Sequence, residues 1–410
     1  MLGRRQFLTG LAVAGSAATT IATARAHQTQ RQASARSTRG QTLTAQDLED
    51  ALVGSSYLGC GGGGSLAEAR QLIAADLAAG SVFRKLPVDA LADDDRVACP
   101  YALASLAPMS DALAQRLDAM GTERVDAPVQ EAFAALEKHV GTPFSGVILG
   151  EIGPLSLAEG LSTAARLGVA ALDADTVGRA TPEINQHTVR VAGYPLTPAA
   201  GVTPFGDVLV LTHLKDPSRQ EDVFRSLAVV SGLVGVADAP ITGAQAKTPG
   251  TLVTGSLSLA MRIGRAVRTA RHRGENGIEA ARQAGDGYLL FEGKVAEAPW
   301  RDEDGFLVGR LTINGEQRFA GRTMVTDYKN EHLVARIGER VVATCPDLIT
   351  VVDKASGEGI NNPDFAPGQD VTVLGFRCDP VWRTQAGLAV FSPRYFGFPI
   401  DYIPIEDRIA

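Results

Sequence analysis

Acidic side chains gather in one stretch of this sequence. Glu151, Asp173, Asp175 and Glu183 lie between positions 151 and 183, and His187 stands four places after Glu183. Carboxylates held together repel one another and raise each other's pKa unless a cation offsets them. Such a set therefore either holds a divalent metal or works as paired acid and base. Glu151, Asp175 and Glu183 are the candidate catalytic carboxyls. Asp173, Asp175 and His187 are the candidate ligands for zinc or a similar divalent metal, although zinc sites usually draw on more histidine or cysteine than this stretch offers. A helical 183–187 segment would put Glu183 and His187 on one face. The second chemical feature is Gly59-Cys60-Gly61-Gly62-Gly63-Gly64, followed by Ser65 and Glu68 in a capping pattern. A glycine loop leading into a helix N-terminus presents free N–H groups to an anion or a developing negative charge. Gly61, Gly62, Gly63 and Gly64 are thus expected to line a ligand pocket. Cys60 is a candidate nucleophile, because thiol pKa values fall near helix N-termini. The spacing imitates a dinucleotide fingerprint, but a helix precedes it, no βαβ unit frames it, and the lysine of a phosphate-binding loop is missing.

The elements that position these groups follow from periodicity. Thr44 and Asp47 open a short amphipathic helix before the glycine loop, and Leu66, Ala69, Leu72, Ile73 and Leu77 share one face of the next, which Gly80 ends. Gly146–Gly150 and Val169–Leu172 are short apolar runs separated by a helix that Ser156 and Glu159 cap and Gly168 ends. This spacing predicts a parallel βαβ unit. Glu151 and Asp173 then sit at the same sheet edge, where ligands of open α/β sheets gather. Ala237–Gly250 reads as a loop and Gly255–Arg271 as a helix. From about 285, short β-rich runs from Tyr288–Phe291 to Leu388–Phe391 alternate with turn signals, the pattern of a barrel or sandwich. The expected fold is α/β: an N-terminal α/β domain over 43–210, then a domain over 211–410 that is helical at first and β-rich afterwards.

A chain of 410 residues with 45% hydrophobic and 21% charged residues is a globular protein of two domains. A net charge of −7 without a basic stripe excludes a grip on nucleic acid. Arg4-Arg5, a modest apolar stretch and Ala24-Arg25-Ala26 are the parts of a twin-arginine signal over 1–26. That signal predicts a periplasmic or secreted protein with no integral membrane segment after cleavage. Residues 27–42 read as a disordered tether. The wide spacing of Cys60, Cys99, Cys345 and Cys378 fits neither a disulfide scaffold nor a zinc ribbon, so mostly free or buried thiols are expected.

Four stretches carry a resemblance: Leu58–Gly64; Leu172-Asp-Ala-Asp-Thr-Val-Gly-Arg-Ala-Thr-Pro-Glu183; Asn330-Glu-His-Leu333 with Pro346-Asp-Leu-Ile349; and Ser392-Pro-Arg-Tyr-Phe-Gly397. In this order, over about 43–407, they resemble the S-methyl thiohydantoin desulfurase family. The resemblance implies an α/β N-terminal domain, a β-rich C-terminal domain, and hydrolysis of a small cyclic amide such as an S-methyl thiohydantoin or hydantoin. Glu331 then joins the expected substrate-binding residues, with Arg179 as a clamp for a substrate carboxylate. The family pattern Glu-x-Gly-Gly-x-Asn is here Glu151-Ile-Gly-Pro154-Leu-Ser156, and Thr181 stands at a usually aromatic position.

Each residue also has a structural alternative. Asp173 or Asp175 can cap a helix, and His187 can be a satisfied core histidine. Glu331 and Asp347 can tie strand ends, Arg179 can pair with Glu183, and Cys60 can simply be a small residue in a crowded loop. Two functions stay open at this level: a hydrolase of a small-molecule substrate, and a non-catalytic binder or accessory subunit with the same pocket. A homo-oligomer is compatible with both.

Overall fold

The computed structural model describes residues 39–409. The expected leader and its cleavage site lie outside the described residues, as does most of the expected tether. The end of that tether is ordered: Gln41–Thr42 (β1) pairs antiparallel with Arg84–Leu86 (β2). Thr44 caps helix Ala45–Leu58 through a complete capping box with Asp47, as the sequence pattern requires.

The first sheet contains those two strands with β3 (Arg96–Leu103), β4 (Gly146–Leu149), β5 (Ala170–Asp175), β6 (Ala199–Val202), β7 (Val208–Leu211), β8 (Val234–Thr242) and β9 (Val253–Thr254). Its order is β1-β2-β5-β4-β3-β8-β6-β7, with β9 against β5. The four strands β2, β5, β4 and β3 are parallel, and the others join antiparallel. The βαβ unit is present, with Gly146 opposite Ala170. Its crossover helix runs Pro154–Leu167 and stops at Gly168 in the left-handed conformation. It starts three residues earlier than expected, because Pro154 takes the first helical position and Gly153, instead of Ser156, the cap.

The segment expected as a loop from Ala237 contains most of β8, which lies inside the sheet between β3 and β6. Pro240 and glycines on either side hide it. The pairing skips between Cys99–Asp238 and Val97–Ile241, and Ala239 there has φ 48°. This bulge lets a proline sit in an interior strand and re-aims the neighbouring side chains. The first sheet thus extends well past the expected division at 210. Helix Ser256–His272 also belongs beside it, with Arg268 donating to Asp50 of helix Ala45–Leu58 at 2.8 Å through two nitrogens.

The second sheet is wholly antiparallel. It comprises β10 (Tyr288–Glu297), β11 (Trp300–Glu303), β12 (Phe306–Gly315), β13 (Thr323–Lys329), β14 (Glu331–Ile337), β15 (Arg340–Thr344), β16 (Leu348–Asp353) and β17 (Asp370–Phe376). Its order is β15-β14-β13-β12-β10-β17-β16, with β11 against β12, and it curls into a half-barrel. Leu388–Phe391, read as a last strand, falls instead in helix Gln385–Val390, capped by Thr384. No helix among the described residues is long and apolar enough to cross a membrane.

Candidate active site

The chain leaves β4 at Gly150 and Glu151 and turns back through Gly153 into the crossover helix. Across this turn lies the glycine loop, whose Gly63 carbonyl accepts the N–H groups of Leu155 (2.8 Å) and Ser156 (3.1 Å). The loop therefore caps the crossover helix with a carbonyl, using one of the acceptors that helix starts demand. A Cβ on Gly63 would lie 2.3 Å from the Gly153 Cα, so only two glycines allow this backbone crossing. Close approach is the function of the run, as its composition implies, but most of what approaches is protein. A Cβ on Gly61 would meet the Asn362 side chain at 2.5 Å, and one on Gly62 would meet Glu331 Oε1 at 1.7 Å. Gly63 and Gly64 line the cleft, whereas Gly61 and Gly62 do not.

The cleft encloses about 160 Å³ between the C-terminal edge of the parallel strands and the start of β14. A cavity of about 150 Å³ accepts a single small ring. Its wall includes Glu151, Glu159, Glu183, His187, Glu331 and Arg225. Glu151 accepts Ser156 Oγ at 2.8 Å and the Thr181 N–H at 2.9 Å, yet loss of solvent pushes its pKa up to about 7. Ser156, expected to cap the helix, is thus the support of Glu151. Among the described residues Glu159 accepts the Ala102 N–H at 3.3 Å, and desolvation, with the charge of Glu151 adding to it, pushes it up to about 8. Glu331 is 2% exposed, and among the described residues its Oε2 has no hydrogen-bond partner. Burial first, and the Glu151 charge second, raise its pKa well above the usual carboxylate range. Glu183 behaves oppositely: burial resists its ionisation, but Lys329 at 2.5 Å and Tyr395 at 2.6 Å outweigh that and hold its pKa below the ordinary value.

From the expected set the structure brings together Glu151, Glu183, Glu331, His187, Gly63 and Gly64, and parts them from the others. Asp173 accepts the Ser258 N–H (2.8 Å) and Oγ (2.5 Å) and pairs with Lys85 at 3.3 Å, so it caps helix Ser256–His272 away from the cleft and is no metal ligand beside His187. Asp175 accepts the Val177 and Gly178 N–H groups at 2.6 and 2.5 Å and orders the turn behind the cleft wall. Desolvation pushes it up to about 7, but it does not line the cleft, so neither the catalytic nor the metal role expected of it has access. Arg179 is fully buried, donating to the carbonyls of Ala180, His332, Pro346 and Asp347 and stacking over Phe391. It ties the two sheets together and, among the described residues, neither pairs with Glu183 nor lines the cleft. Cys60 is buried, absent from the cleft wall, and its thiol pKa is raised by desolvation, the reverse of an activated nucleophile. The segment 183–187 is a turn rather than a helix, and His187 caps the short helix Thr188–Val191.

Three participants escape a reading of the sequence. Glu159 looks like a capping-box acid and shows its environment only once the helix start shifts. Cys99 and Asp238 are register partners across β3 and β8. With His187 they place three potential ligand atoms within 4.8 Å of one another, so this buried group could hold a metal. Nothing local announces the pair, since Asp238 lies in the segment that reads as a loop. All four cysteines are buried and free, as their spacing implies.

Comparison with known proteins agrees with this architecture. Residues 46–213 match the S-Me-THD-like N-terminal domain and residues 215–405 the S-Me-THD-like C-terminal domain. A crystal structure of a protein from Chromobacterium violaceum is similar at 26% identity with a TM-score of 0.71, covering 89% of this chain and 100% of that one. No curated protein matches the chain. The chain belongs to the S-Me-THD-like family.

Proposed function

We propose that this chain is a hydrolase acting on a small cyclic amide, an S-methyl thiohydantoin or a hydantoin, in the cleft that Glu151 and Glu331 share. The observation that carries this reading is the unequal pair of carboxyls. Two acids in one desolvated site do not both ionise near neutral pH, so one holds a proton while the other can take one. Pairs of titratable groups whose environments separate their pKa values mark acid and base assignments. Here Glu331 is the acid, with a free oxygen, and Glu151, at about 7, is the base.

On an S-methyl thiohydantoin the ring carbon bearing sulfur is the electrophile. Glu151 takes a proton from water as the C–O bond forms, and Glu331 protonates the sulfur as the C–S bond breaks. Oxygen stays on the ring carbon, and methanethiol leaves with one of the protons. The second proton ends on the ring nitrogen, so water is the only co-reactant. Apolar Leu103, Leu106, Leu155 and Ile184 in the cleft wall fit the S-methyl group and the ring faces. Thr181 and the helix start Pro154-Leu155-Ser156, where this chain departs from the family pattern, line or border the same cleft, which supports a difference in ring substituent.

Purified protein incubated with S-methyl thiohydantoins and hydantoins, with a thiol reagent and ring-opening detection, tests the reading. Methanethiol release or ring opening is the expected result. Saturable binding without turnover of any of them would make the chain a binder instead. Export belongs to the same proposal, supported by Arg4-Arg5 and the Ala24-Arg25-Ala26 site. Changing both Arg4 and Arg5 to Lys should retain the precursor in the cytoplasm, and unchanged export would remove that part.

A further inference from the structure

We infer that Cys99, His187 and Asp238 form a binding site for one divalent transition-metal ion of the zinc type, set in the wall behind the cleft. The inference does not depend on the hydrolase reading.

The group is built from two sheet strands and a turn. Cys99 on β3 and Asp238 on β8 are opposed in register, and the bulge at Ala239–Pro240 lies beside them. His187 arrives from the turn after β5, with its backbone fixed by Thr188 donating to Thr176 O at 2.9 Å. All three side chains are buried, Cys99 and Asp238 fully and His187 at 3% exposure. Thiolate, imidazole and carboxylate are the donors zinc takes in closed or nearly closed sites. Thiolate and carboxylate together would match the charge of a divalent ion.

Two buried atoms in this group have no partner among the described residues: His187 Nε2 and Asp238 Oδ1. They lie 3.7 Å apart, too far for a hydrogen bond and close to the separation of two ligands on one ion. A fully desolvated carboxylate is costly without a cation or full hydrogen bonding. Asp238 Oδ2 already has its supports, Tyr101 Oη at 2.8 Å and Gln220 Nε2 at 2.7 Å, both neutral and both leaving Oδ1 free. Outer partners that orient a ligating carboxylate in this way accompany metal sites.

A Cys-His-Asp catalytic triad is the competing arrangement, and the geometry opposes it. A triad uses one ring nitrogen for the nucleophile and the other for the carboxylate. Here the carboxylate oxygen faces Nε2, while Nδ1 accepts the Val189 N–H at 3.3 Å. That contact puts the ring proton on Nε2 in the metal-free protein. Metal binding through Nε2 moves the proton to Nδ1 and gives up the long Val189 contact, so loading switches the tautomer.

Cobalt(II) titration of the whole metal-stripped protein tests the site, with folding checked by circular dichroism. The expected result is one equivalent bound, a thiolate-to-cobalt charge-transfer band, and affinity at least about tenfold lower in both Cys99→Ser and Asp238→Asn, the scale on which ligand supports act. Nitrogen NMR of His187 should show the switch of tautomer on loading with zinc. No stoichiometric uptake, uptake without the thiolate band, or unchanged affinity in folded Cys99→Ser overturns the inference.

Discussion

Two buried acids of the C-terminal half, each inside a stretch that carries the family resemblance, lie in opposite surroundings. Asp347 is fully buried, and its two oxygens accept from the Cys378 N–H (2.9 Å), Arg383 (3.2 Å), Tyr402 (3.0 Å) and the Ile405 N–H (2.8 Å). Glu331, almost as buried, stands in the cleft wall and leaves one oxygen without a partner among the described residues. A carboxyl with four donors is a rivet: it holds the C-terminal segment to the half-barrel. A buried carboxyl with one oxygen unpartnered holds its proton more tightly and has a position from which to give it away. Burial alone does not separate structure from chemistry. Between these two acids the hydrogen-bond count does.

The comparison can be broken by exchange of single atoms. Glu331→Gln should lower turnover by about 10²–10⁴-fold, the range of a general acid, while melting stays close to wild type. Full turnover in this variant would return Glu331 to a structural role. Asp347→Asn should do the reverse, costing about 3 kcal/mol in denaturant unfolding, because Arg383 and the other donors lose their charged acceptor. Its folded fraction should retain wild-type kcat, and a large loss of kcat there would end the contrast. Gly62→Ala tests the packing that seats Glu331. Gly62 lies outside the left-handed region, so alanine suits the backbone, but its Cβ would displace Glu331 Oε1. Misplacing the acid by about 1 Å should cost up to about 10²-fold in turnover, and unchanged kcat would show that the position of Glu331 is immaterial.

Glu159 sharpens the same point through pH. Its folded pKa of about 8 lies above the ordinary 4.5, so the folded chain holds the proton more tightly than the unfolded one. The resulting stability is present below pH 4.5 and is lost as pH rises to about 8. Glu159→Gln should therefore equal wild type near pH 5 and exceed it at pH 8 by on the order of 1–2 kcal/mol, the side chain being partly open to the cleft. A variant no more stable than wild type at pH 8 would show that Glu159 is adequately solvated. The smallest effect is expected from Cys60→Ala, within about twofold in turnover, since a thiol with a raised pKa and no access to the cleft takes no part. Lost turnover with retained binding would restore it as a nucleophile.

Much of this arrangement was legible in the residues, and the failures have physical causes. The βαβ unit could be read because buried parallel strands are continuous apolar runs, and Glu151 at its edge is where the chemistry gathers. Of the four acids expected to converge, Glu151 and Glu183 stand in the cleft wall. Asp173 and Asp175 belong to the same strand end as Glu151, but Ser258 and the 176–178 turn capture their carboxylates. Such capture depends on helix Ser256–His272 arriving from far along the chain. The glycine run implies close approach to a ligand, but only its Gly63 and Gly64 line the cleft. Its occupants, Gly153, Asn362 and Glu331, could not be read, since a run of glycines has no means of recording what lies against it. Asp238 was lost to Pro240, which argues against an interior strand unless a bulge is known to be there.

The central claim is that Glu331 carries a proton in the cleft at neutral pH. Infrared difference spectroscopy of wild type against Glu331→Gln at pH 7 measures this directly. The account predicts a protonated-carboxyl C=O band in wild type that the variant lacks. A difference spectrum showing only the bands of an ionised carboxylate at that position would contradict it.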